Sequence, residues 1–118
     1  AVELTWVDQP VQAKVLQFLG RQACGWGVPS SVLFDLPQLE LMLADEALWR
    51  GVERFKAILR TGVESWHLLQ RWGQQSAISP STWRQDSRIE VQLAEGVVTE
   101  WQQWHARWQQ LCERCPIS

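Results

Sequence analysis

Between Ala94 and Cys115 the apolar residues Ala94, Val97, Trp101, Trp104, Trp108, Leu111 and Cys115 advance by three and four positions in turn. That rhythm places side chains on one side of an α-helix. A tryptophan buries roughly 150–250 Å², so three on one stripe carry about 600 Å². The largest apolar patch usual on a soluble monomer is about 300–600 Å². At about 25 cal/mol per Å² the gross gain on burial is on the order of 15 kcal/mol. The stripe is therefore covered. Its cover is the chain's own core, an interface with a second copy or a partner, or a ligand box.

A similar rhythm runs through Leu48, Val52, Phe55, Leu59, Gly62, Trp66 and Leu69, with Leu41, Trp49, Val63 and Trp72 widening the face. It predicts a long central helix that opens at Asp35 and Pro37 and closes at Gly73. Whether the chain breaks near Ala44 and Asp45 is left open. Asp8, Pro10 and the spacing of Val11, Val15, Phe18, Leu19 and Ala23 predict a first helix over residues 9–24. GWGVPSSVLF and GQQSAISPST read as linkers. In DSRIEVQLAEG, Ile89, Val91 and Leu93 alternate like a strand, whereas Ser87 and Glu90 have capping-box spacing. A lone strand would leave its backbone groups unpaired, so helix is the preferred reading. The expected fold is all-α: a small bundle of three to five helices in one domain over residues 1–118, with a long central helix and a long Trp-bearing C-terminal helix.

Charge excludes several functions. Eleven basic residues against 13 acidic give a net charge of −2, with no long run of either sign. A polyanion-binding stripe is not visible, so nucleic acid is not an expected partner. No apolar stretch approaches the roughly 18–20 residues that span a bilayer, and no membrane partner is expected. AVELTWVDQP lacks a basic segment followed by an apolar one, so no signal peptide is predicted. Three cysteines without a secretory signal point to a reducing, cytoplasmic setting. Nine of the eleven basic residues are Arg, and Asn and Tyr are absent. This scarcity of AT-rich codons points to a bacterial source.

Motifs that carry chemistry are weak. Cys112 and Cys115 have C-x-x-C spacing, but the remaining pool for a metal is Cys24, His67 and His105, with no second half-site. The pair also stands at an expected helix C-terminus, the wrong end of the dipole for lowering a thiol pKa. The last four residues, CPIS, match a prenylation pattern without the polybasic segment that a stable anchor needs. His67 and His105 have no nucleophile or paired carboxylate beside them and are read as the polar rim of a packed face. Phosphate-binding glycine motifs are absent. No catalytic, cofactor-binding or metal-binding residue and no cofactor is assigned.

What remains is protein binding without catalysis. Trp and Arg are enriched at binding hot spots, and nine Trp are hard to enclose in 118 residues. The interface candidates are Trp101, Trp104, Trp108, Leu111, Trp49, Val52, Phe55, Leu59 and Trp66, with Arg50, Arg54 and Arg60 beside Trp49 and Trp66 on a second face. Two stripes in so small a chain suggest a homodimer. The expected role is an antagonist, or anti-activator, that sequesters a partner such as a transcriptional regulator. Secretion chaperone, immunity protein and structural subunit are the alternatives, all by analogy of class.

Overall fold

The computed structural model describes residues 2–5, 12–18 and 20–114, and it is not a helical bundle. The order of elements is β1 (Val2–Thr5), β2 (Gln12–Phe18), β3 (Arg21–Val28), α1 (Leu36–Leu43), β4 (Val52–Arg60), β5 (Trp66–Trp72), β6 (Gln75–Ser81), β7 (Ser87–Leu93) and α2 (Trp101–Arg114). The strands form one antiparallel sheet in the order β1-β2-β3-β7-β4-β5-β6, an α+β fold. Five strands, β3-β7-β4-β5-β6, make its body, and β2 and β1 extend the β3 side.

The corrections are specific. The helix expected over 9–24 is replaced by the β2–β3 hairpin. The long central helix is replaced by the short α1 and the β4–β5 hairpin; α1 does start beside Asp35 and Pro37 but stops at Leu43. The second linker holds β6, and the ambiguous segment at 87–93 is the strand β7. Only the C-terminal helix stands. Ala94 and Val97 precede it, and Cys115 lies outside the described residues.

The helix-like rhythm of residues 48–69 has a physical explanation. A step of four is even, so Phe55 and Leu59 also share one face of a strand. The odd step from Val52 to Phe55 crosses a register shift in the β4–β7 ladder, between Val52 and Arg54. The step from Leu59 to Trp66 crosses the turn between β4 and β5. The odd step from Trp66 to Leu69 lies within β5 and puts those two side chains on opposite faces.

Period-two burial then sorts the sheet into two faces. Cys24, Trp26 and Val28 of β3, Phe55, Ala57 and Leu59 of β4, Leu69 of β5, and Ile89, Val91 and Leu93 of β7 are buried on the inner face. Both helices cover this face. From α1 come Leu39, Met42 and Leu43, and from α2 come Trp101, Trp104, Trp108, Leu111 and Cys112. The indoles interlock with the sheet. Trp26 meets Trp101 and Trp108 edge to face at 6.0 and 5.9 Å, and Phe55 stacks on Trp108 at 6.0 Å. Trp49 lies 4.6 Å from Phe55 and 5.4 Å from Trp104. The indole N–H groups of Trp26, Trp101 and Trp108 are buried without a hydrogen-bond acceptor among the described residues. Edge-to-face packing, which sets a positive ring edge against a neighbour's π-cloud, is the environment that makes this tolerable.

Two local devices bring the helices onto the sheet. Arg71, buried on the inner face of β5, donates through Nη1 to the Leu43 carbonyl at 2.9 Å and through Nη2 to Glu46 Oε2 at 2.8 Å. A cation at a helix C-terminus satisfies its open carbonyls and opposes its dipole. Trp49 Nε1 donates to the neighbouring Met42 carbonyl at 2.9 Å, and the Arg71 guanidinium lies 5.6 Å from the Trp49 ring. Gly51, just before β4, has φ +81°, and a Cβ there would stand 2.9 Å from Val97 Cγ1. Its carbonyl accepts from the Ala94 N–H at 2.9 Å, seating the segment that turns the chain back into α2.

His105 of α2 is 2% exposed, and burial holds its pKa below the ordinary value of 6.5. The folded state therefore carries neutral imidazole, while the unfolded chain takes up a proton as the pH falls through that value. Stability is full above it and is lost as the pH falls. Thermal melts between about pH 7.5 and 5.5 should show a drop in Tm that is smaller for His105→Gln; equal drops would contradict the assignment. For Trp108, which has 0% exposure, urea titration of Trp108→Ala should show a loss of about 3–5 kcal/mol. A loss below about 1 kcal/mol, the surface range, would mean that the ring is not core.

Candidate functional site

Among the described residues, no helix lies over the second, outer face of the sheet. Its positions alternate with the core positions: Arg21, Ala23, Gly25 and Gly27 on β3, Arg88, Glu90 and Gln92 on β7, and Arg54, Lys56, Ile58 and Arg60 on β4. All of these are half-buried or exposed. β5 adds Trp66, Leu68, Gln70 and Trp72, of which Trp66 is buried and Trp72 is 46% exposed.

Two adjoining hollows follow β7 across this face. The larger, about 350 Å³, is lined by Ala23, Cys24, Gly25, Arg54, Lys56, Glu90, Val91 and Gln92. The smaller, about 170 Å³, is lined by Lys56, Ala57, Ile58, Trp83, Arg88 and Glu90. Lys56 and Glu90 belong to both, so the two make one groove. Its shape follows from residue size along three neighbouring strands. Ala23, Gly25 and Gly27 leave the β3 side low, and Arg54, Lys56 and Ile58 raise the β4 side. Among the described residues, a Cβ on Gly27 would meet nothing within 4 Å, and one on Gly25 would touch the Ile89 carbonyl, at 3.7 Å. Trp83 closes one end. Its Nε1 donates to the Asp86 carbonyl at 2.7 Å, and the Arg88 guanidinium lies 5.1 Å from its ring.

Charge on the groove is unevenly satisfied. Arg21 Nε donates to Glu53 Oε2 at 2.8 Å, and Gln92 Nε2 donates to the same oxygen at 3.4 Å. These hydrogen bonds, first from Arg21 and then from Gln92, hold the Glu53 carboxyl below the usual carboxylate range. Glu53 is thus engaged away from the cations that follow it on β4. Arg60 is turned onto the carbonyls of Ser30, Gly62 and Val63. Arg88 pairs with Asp86 at 3.2 Å. Arg54 and Lys56 are exposed, and among the described residues their side chains make no hydrogen bond or ion pair.

The structure separates the candidates named from sequence. Trp101, Trp104, Trp108 and Leu111 are sealed between α2 and the inner face, together with Trp49, Phe55 and Leu59, and Val52 packs half-buried at the margin. Trp66 stands apart, buried on the outer face. The second face expected from Trp49, Trp66, Arg50, Arg54 and Arg60 is split: Trp49 lies inward, whereas Trp66, Arg54 and Arg60 lie outward. Arg50 borders a separate cleft of about 320 Å³ beside Trp104 and Arg107. His67 Nδ1 lies 2.6 Å from Thr61 Oγ1. Cys112 is buried; Cys115 and the CPIS tail lie outside the described residues. Among the described residues no cluster of three or more His, Cys, Asp or Glu could hold a metal, and no helix is long and apolar enough to cross a membrane.

Sequence reasoning missed Lys56, Glu90, Gln92, Gly25 and Trp83. The signal that could have found them is the polar half of a strand alternation: Arg54 and Lys56 about Phe55, and Arg88, Glu90 and Gln92 about Ile89 and Val91. Compared with known proteins, the chain matches no family model, no curated protein and no solved structure.

Proposed function

We propose that this chain is a non-enzymatic, cytoplasmic protein-binding domain that docks its partner on the outer face of the sheet and acts by occupying it. One observation carries the reading. The inner face is filled by the tryptophan-bearing helix, while the opposite face holds an open groove with two cations, Arg54 and Lys56, that are unpaired among the described residues. Desolvated arginine and aromatic side chains are the usual anchors of such contacts, and Arg54, Lys56 and Trp83 supply them here. The indole stripe of α2 is covered by the sheet of the same chain, so one copy completes this core. An antagonist that sequesters a regulator is one such occupant-binding role, and the groove supplies the contact surface for it.

The test is site-specific photo-crosslinking in cells of the native host. A photoreactive phenylalanine at Gly27, where the outer face has open space, should give one discrete protein adduct, and the same group at exposed Gln110 of α2 should give none. The adduct at Gly27 should disappear when Arg54→Glu and Lys56→Glu are added to a chain with an unchanged circular dichroism spectrum. Absence of any adduct at Gly27, or equal adducts at both positions, contradicts the reading.

A further inference from the structure

The geometry points to the chemistry of the occupant: an extended, acidic polypeptide segment with carboxylates at alternate positions, lying along β7 on the outer face. This rests on the docking face proposed above. The three strands that form the groove, β3, β7 and β4, are each paired on both sides. Their backbone groups are used in the sheet, so a guest cannot join as an added strand. Side chains alone must hold it.

Those side chains have a spacing. Arg54 and Lys56 are two residues apart on one strand face, a separation of about 6.6–6.8 Å at the strand rise. Alternate side chains of an extended guest repeat at the same distance. A carboxylate at position i and another at i+2 therefore meet both cations without strain. From Arg88 to Gln92 the groove runs about 13 Å along β7, which is the length of five extended residues. The missing side chain at Gly25 and the small one at Ala23 leave room for the guest's backbone beside the cationic wall. Trp83 at the end offers an apolar face to a neighbouring residue of the guest.

Charge selects the same guest. The outer positions of β3, β4 and β7 carry five cations, Arg21, Arg54, Lys56, Arg60 and Arg88, against three carboxylates that reach this face, Glu53, Glu90 and the Asp86 paired with Arg88. The chain as a whole is at −2. The excess of opposite sign is thus concentrated on one surface, the pattern that steers an oppositely charged partner. Glu90, set between Gly25 and Lys56 in the ladder, disfavours a continuous polyanion such as RNA. It favours a guest whose charges are spaced by uncharged residues.

A labelled nonapeptide with alternating Glu and Ser provides the probe. Fluorescence anisotropy with the full chain should show saturable binding that weakens at least tenfold in Arg54→Glu/Lys56→Glu. That variant should gain affinity for the corresponding Lys/Ser peptide. A peptide of the same composition with its acids in one block should bind more weakly than the alternating one. Equal binding to wild type and variant, or preference for an oligouridylate of equal charge, would overturn the inference. If the Gly27 adduct forms in cells but the Glu/Ser peptide does not compete with it, the docking face stands and the acidic guest is wrong. If no adduct forms, both fall.

Discussion

Contact between the indoles of one helix and the inner face of the sheet organises this molecule. Trp108 sits where Trp26, Phe55 and Trp104 converge, and no part of it is exposed. Large flat rings from β3, β4 and α2 fill a space that smaller side chains would leave partly empty. Such aromatic pairs add about 0.5–1.5 kcal/mol each beyond their area burial. Because the rings come from elements distant in sequence, this one contact draws in β3, the β4–β5 hairpin and the chain after β7. The Arg71 bonds at the end of α1 and the fit of Gly51 against Val97 hold the margins of the same core.

Filling one face has a consequence for the other. A sheet with two helices on one side presents its remaining side to solvent, and antiparallel sheets tolerate that because alternate residues are polar. Here the polar set is not a uniform mixture. Small residues on β3 and long cations on β4 shape a groove, and the Arg21–Glu53 pair removes a carboxylate that would otherwise neutralise it. Function is therefore proposed for the face on which no tryptophan of α2 lies. The residues that look most like an interface in the sequence are the ones that build its support.

The helix α2 was legible because its stripe is long, uninterrupted and too apolar to stay wet. The strands were hidden by three coincidences. Steps of four fit either period, the register shift near Arg54 supplied one odd step, and Trp66, buried on the outer face, supplied another. Outward Ile58 further blurred the alternation of Phe55, Ala57 and Leu59. The clearest strand, Ile89-Val91-Leu93, reads as helix in the sequence because no partner strand is visible beside it. Yet β7 lies between β3 and β4, whose own segments read as helix and linker in the sequence. One mistaken period thus removed the pairing that would have supported the right one. The groove could not be read before the strands were, since Gly25, Lys56, Glu90 and Gln92 come together only through the β3-β7-β4 ladder.

The central claim is that the indoles of α2 are covered by the sheet of the same chain. Nuclear Overhauser contacts from the Trp108 ring, measured on isotope-labelled protein at dilutions where light scattering reports a monomer, test it most directly. The account predicts contacts to the rings of Trp26 and Phe55 that do not change with concentration. Their absence in the monomer, or their appearance only as a larger species forms, would contradict it.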